Sequence, residues 1–179
     1  MGKIVVTEFV SLDGVIEAPT WSAPYWNDEI ANFKAEEQNI SEALLLGRVT
    51  YQMFAGAWPQ SQDKGAAFMN SVPKYVVSTT LNEDKLEWNN SRLLKANIVE
   101  EIRQLKQQAS KDLLVYGSGR LLQTLIEHDL VDHLRLLVYP VVLGKGQRLF
   151  SETTTATLKL VQAQSLSSGV LALIYEPQR

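Results

Sequence analysis

Leu113-Leu114-Val115-Tyr116 runs directly into Gly117-Ser118-Gly119-Arg120, and Leu121 to Glu127 then reads as a helix. The short apolar run is a buried strand and the glycine pair a turn. Glycines at such a junction let backbone amides approach phosphate oxygens closely, and the helix amino terminus adds a partial positive charge. The same residues also describe an ordinary tight strand-to-helix connection. Leu122 stands where a third glycine would complete the dinucleotide fingerprint. Taken alone, the turn leaves both readings open.

Working outward, Lys3 to Val10 reads as a first strand and Ser11 to Pro24 as a long loop with Gly14, Pro19 and Pro24. Trp21, Tyr25 and Trp26 supply apolar area with which that loop can close over a ligand. Tyr25 to Ser41 is expected as a helix whose stripe, Ile30, Phe33, Glu37 and Ile40, is apolar except at Glu37. Ala43 to Leu46 is a buried-type strand ended by Gly47, Val49 to Phe54 starts a short helix, and the polar segment to Asn70 is a surface connection. Lys74 to Ser78 is a strand, and Val99 to Ser110 a helix with Ile102, Leu105 and Ala109 on one face. Strand and helix alternate, the α/β pattern. The last third breaks it: His133 to Val142 is strand-like, and Leu158 to Gln164 and Val170 to Tyr175 flank Ser167-Ser168-Gly169 as a hairpin would. One domain with a mixed sheet is expected over residues 1–179.

The bulk composition narrows the function classes. A chain of 179 residues with 45% hydrophobic and 21% charged residues is globular, and no run approaches the roughly 18 apolar residues of a membrane span. Met1-Gly2-Lys3-Ile4-Val5-Val6 enters a strand without the pattern of a secretory signal, so a cytoplasmic location is expected. Cysteine is absent, which removes thiolate chemistry. His128 and His133 lack a nearby third ligand and are placed at a helix end and a strand start, so no metal is expected. A net charge of −3 argues against general nucleic-acid binding, leaving any phosphate to be held locally.

Two further strand ends supply polar groups. Leu44-Leu45-Leu46-Gly47 delivers Arg48 and Thr50, and Tyr75-Val76-Val77 delivers Ser78, Thr79 and Thr80. Each has a structural reading, Thr50 as a helix cap and Arg48 as a solvated cation. Ligands of open α/β sheets lie at the carboxyl ends of strands, so three such ends together favour a dinucleotide. Glu29, in the first turn of the first helix, is a candidate pocket carboxylate, although acids there commonly complement the helix dipole and Asp28 is its equal. Asp13 reads first as a turn residue.

Ser11-Leu12-Asp13-Gly14, Gly47-Arg48-Val49-Thr50-Tyr51, Val77-Ser78-Thr79 and Gly117-Ser118-Gly119-Arg120, in this order, resemble the dihydrofolate reductase superfamily across nearly the whole chain. Tyr139-Pro140-Val141-Val142-Leu143-Gly144-Lys145-Gly146-Gln147-Arg148-Leu149-Phe150 looks most like the reductase domain of riboflavin biosynthesis. The resemblance implies a three-layer fold: a mostly parallel mixed sheet, flanking helices and an antiparallel carboxyl-terminal hairpin. It also implies NADPH, with Arg48, Ser78 and Thr79 near the adenosine 2′-phosphate, and Thr50, Gly117, Ser118, Gly119, Arg120 and Leu121 near the pyrophosphate. It suggests a cis peptide at Gly117-Ser118. Glu29 matches the pterin-binding acid of folate reductases, whereas Leu136, Leu137 and Val138 occupy the strand where their partnering threonine falls. The implied activity is hydride transfer to a pyrimidine- or pterin-like small molecule, most like reduction of a ribosylamino to a ribitylamino group, with Glu29 or water giving the proton. Folate reduction and a non-catalytic NADPH-binding module are the alternatives. The apolar carboxyl-terminal strands are compatible with a homodimer.

Overall fold

Ile4-Val5-Val6-Thr7-Glu8-Phe9-Val10-Ser11 is rich in β-branched and aromatic residues and forms β1 (Ile4–Ser11) near the centre of the sheet. Nearly all of it is buried, which is why it lacks the alternation of a strand with one wet face. A computed structural model describes residues 1–179. The other strands are β2 (Ser41–Gly47), β3 (Lys74–Val77), β4 (Ser91–Leu94), β5 (Asp112–Tyr116), β6 (His133–Tyr139), β7 (Leu158–Ser165) and β8 (Leu171–Pro177). They form one sheet in the order β4-β3-β2-β5-β1-β6-β8-β7. Pairing is parallel from β4 to β6 and antiparallel for β6 with β8 and β8 with β7.

Five helices cover the sheet: α1 (Asp28–Asn39), α2 (Arg48–Ala57), α3 (Ala66–Ser71), α4 (Ile98–Gln108) and α5 (Gly119–Glu127). Ile102 of α4 and Leu121, Leu122 and Leu125 of α5 pack with Ile4, Val6 and Val10 on one face. On the other face, Tyr51 of α2 and Met69 of α3 pack with Val5, Leu44, Leu46 and Val76, while Ile30 and Phe33 of α1 pack with Leu137 and Tyr139. No helix is long and apolar enough to cross a membrane.

The expected helix from Tyr25 to Ser41 is corrected to a 3-10 turn over Pro19–Tyr25 followed by α1. Asn27 makes the break, because its side chain accepts the Ile30 amide at 3.0 Å and caps α1. Ser41 opens β2 instead, its hydroxyl donating to the Glu37 carbonyl at 2.7 Å. The surface connection before Asn70 contains most of the short helix α3, and β4 is an unanticipated strand. Its Ser91-Arg92-Leu93-Leu94 has neither β-branched residues nor a repeated apolar pattern. Beyond β6, Pro140 interrupts the strand expected to reach Val142.

Candidate active site

The carboxyl ends of β3, β2 and β5 lie side by side, so Ser78, Arg48 and Gly117 leave the sheet at the same edge. α2 and α5 start there on opposite faces, and neither has a side chain capping its first amides. Ser118 Oγ ties the two starts together, accepting the Gly47 amide at 2.8 Å and lying 3.1 Å from Thr50 Oγ1. Two adjacent helix amino termini with free N–H groups form a ready anion site.

The backbone keeps that site open. A Cβ on Gly117 would stand 2.7 Å from Thr50 Oγ1, and one on Gly47 3.0 Å from Ser118 Oγ. Gly117 and Ser118 have φ of 55° and 66°, and there are no cis peptide bonds. The expected cis bond is therefore corrected. Two successive left-handed residues turn the chain with trans peptides throughout, and the bond from Gly47 to Ser118 Oγ holds the non-glycine member in that region. The residues fit a dinucleotide pyrophosphate because amides, hydroxyls and small residues converge where bulk would intrude. Leu121 offers only its backbone, its side chain being buried in the core. Arg48, Thr79 and Arg120 are exposed, with Arg48 donating to Gln52 at 3.1 Å. Ser78 Oγ accepts the Leu81 amide at 3.0 Å and caps its own turn.

Next to this cradle β5 ends and β1 runs on, so that the edge of β1 beyond Tyr116 is unpaired and leaves a gap, the splay. β1 pairs with β5 only as far as Thr7 and Tyr116, while its pairing with β6 continues to Ser11 and Tyr139. A polar network fills the base of this splay on the α1 face. Thr7 Oγ1 donates to Glu37 Oε1 at 2.8 Å and accepts Lys34 Nζ at 2.7 Å. Lys34 Nζ lies 2.6 Å from Glu37 Oε2, and Arg135, the register partner of Thr7, reaches Glu37 Oε1 at 3.1 Å. Glu37 is 0% exposed and is compensated by both cations. The Lys34 ammonium also sits 4.6 Å from the Tyr116 ring centroid and 5.3 Å from that of Phe9. Burial pushes its pKa down, against the pull of Glu37.

The model of the RibD C-terminal domain matches residues 2–172. The chain belongs to the RibD C-terminal domain family. The uncharacterized protein YyaP of Bacillus subtilis (strain 168) is 31% identical over 97% of this chain and 94% of its own. A Shewanella sp. PV-4 protein named for riboflavin biosynthesis superposes with a TM-score of 0.82 at 22% identity, covering 100% of both chains. The Thermotoga maritima deaminase/5-amino-6-(5-phosphoribosylamino)uracil reductase gives 0.70 at 17% identity over 99% of this chain and 57% of its own. Enterococcus faecalis dihydrofolate reductase, in complex with NADP(H), gives 0.67 at 17% identity over 99% of this chain and 98% of its own. The fold is dihydrofolate reductase-like, and riboflavin-pathway reductase domains share it.

Within this RibD C-terminal domain, Glu29 lies away from the splay network. Its carboxylate accepts the Ser167 amide at 3.0 Å and the Ser167 hydroxyl, tying α1 to the β7–β8 hairpin. Those bonds hold its pKa below the ordinary value. Asp13 accepts the Gly144 amide at 2.7 Å and the Leu143 amide at 3.1 Å, clipping the loop after β1 to the loop after β6. The segment expected to close over ligand is packed: Trp21 and Tyr25 meet Tyr139 edge-on at 5.4 and 5.6 Å, and Trp26 is exposed. Lys34, Glu37, Thr7 and Arg135 were missed as a site. Their one sequence signal was the acid interrupting the stripe of α1.

Proposed function

We propose that this RibD C-terminal domain is an NADPH-dependent reductase of a planar pyrimidine- or pterin-like substrate. The reaction most like it is that of 5-amino-6-(5-phosphoribosylamino)uracil reductase. The observation that carries the reading is the meeting of two uncapped helix starts at Thr50 and Ser118 beside the splay of β1 and β5. NADPH, when bound, supplies the hydride.

The amides of the first turns of α2 and α5 bind the pyrophosphate, and Gly47 and Gly117 leave room for it. Arg48 with Thr79 faces the 2′-phosphate, and Ser78 shapes the turn that presents them. Arg120 adds positive charge at the same edge. Reduction of a C=N bond adds hydride to carbon and a proton to nitrogen. Lys34 Nζ carries a proton on the α1 side of the splay, and Glu37 and Thr7 fix its position. With two of its three donors committed, one N–H remains for a ligand. Folate reduction draws less support, since Glu29 is engaged by Ser167.

The test follows NADPH consumption with the ribosylaminouracil phosphate of riboflavin synthesis and, separately, with dihydrofolate. Consumption with the pyrimidine is expected. NADPH binding with no consumption by either substrate would reduce the protein to a binding module.

A further inference from the structure

Glu8 is a buried acid that the proposed chemistry leaves unused. It is 6% exposed, and its Oε1 has no hydrogen-bond partner. It occupies the first position of β1 beyond the end of the β5 pairing, opposite Leu136 of β6. Strand alternation turns it away from Thr7 and toward the face of Val6 and Val10, which pack with Leu121 and Leu122 in the first turn of α5. Glu8 thus lies on the α5 side of the splay, beside the helix start that forms half of the anion cradle. The Lys34 network occupies the opposite side.

An unpartnered carboxyl at such a depth is costly to keep, and burial pushes its pKa up to about 8 against the attraction of Lys34. At neutral pH it is mainly the neutral acid, which can donate one hydrogen bond and accept another. A primary carboxamide has the complementary pair. Resting on the reading of the cradle as an NADPH site, we propose that Glu8 is the recognition group for the carboxamide of the nicotinamide ring entering between β1 and β5.

The experiment compares wild type, Glu8→Leu and Glu8→Gln by calorimetric titration with NADPH and with adenosine 2′,5′-bisphosphate, which carries the adenosine end without nicotinamide. Glu8→Leu is expected to lose about tenfold or more in NADPH affinity and to keep fragment affinity within about twofold. Glu8→Gln, neutral and able to donate and accept, should stay within about threefold of wild type for both. Unliganded Glu8→Leu should melt above wild type, because a buried unpaired polar group is gone, and this shows that the fold is intact. Unchanged NADPH affinity in Glu8→Leu, or equal loss of both ligands, overturns the assignment while leaving the cofactor reading in place. Failure of wild type to bind either ligand overturns the cofactor reading itself, and this assignment with it.

Discussion

Thr50 Oγ1 and Ser118 Oγ stand 3.1 Å apart, joining the first turns of two helices that pack on opposite faces of the sheet. Neither helix start is capped by a side chain, so the contact gathers free amides from both into one concave edge. Gly117 is what allows the approach, since a methyl there would meet the Thr50 hydroxyl at 2.7 Å. Gly117→Ala should therefore lower stability by about 1 kcal/mol, with added strain from its φ of 55°, and weaken NADPH. Urea unfolding and calorimetric titration measure the two effects; a variant unchanged in both would mean that the turn is not a cofactor wall.

Arg48 is exposed beside this edge and has only Gln52 as a polar partner. Arg48→Ala should reduce NADPH affinity by about tenfold more than NADH affinity, because a guanidinium pairs strongly with phosphate. Parallel losses for the two cofactors would place the 2′-phosphate elsewhere.

Glu37 holds Lys34 and Arg135 together in a dry site. Glu37→Ala leaves the buried Lys34 without its ion pair and Arg135 with only the exposed Glu36, and should destabilise the fold by about 3–5 kcal/mol, with Glu37→Gln costing less. Lys34→Met should lower turnover by about a hundredfold while leaving NADPH affinity within about threefold. Wild-type turnover should also fall as pH rises through the depressed Lys34 pKa, a limb that Lys34→Met lacks. Retention of that limb in Lys34→Met would assign the proton to another group.

Hydrogen bonds from Ser11, Gly144 and Leu143 lower the Asp13 pKa from 3.8 to about 2. A carboxyl whose folded pKa is depressed stabilises the fold above its unfolded value, and that contribution disappears as pH falls through the folded one. The Asp13 clip should therefore be complete above about pH 4 and be lost toward pH 2. Hydrogen exchange at the Leu143 and Gly144 amides should accelerate over that window in wild type. Asp13→Asn should exchange faster at neutral pH, and equal protection in the two proteins would remove the clip from the account.

The sequence exposed the cradle because its parts are local: an apolar strand, glycines and a helix start follow one another at Gly117, and Gly47-Arg48 repeats the theme. The splay network was hidden because Glu37 meets Thr7 and Arg135 across 30 and 98 residues. Only the register of β1 with β6 brings Thr7 and Arg135 together. Glu8 was equally concealed, lying in a strand buried on both faces where no alternation marks inward residues. Glu29 was visible as an acid in a first helical turn, but its partner Ser167 comes from a distant hairpin.

The central claim is an NADPH site at the joined starts of α2 and α5, and thermal unfolding with and without the cofactor tests it most directly. At about 100 times its dissociation constant, NADPH should stabilise the fold by about 2.7 kcal/mol and raise the Tm by about 5–10 °C. NADH at the same concentration should give a smaller rise. An unchanged Tm with NADPH at millimolar concentration would contradict the account.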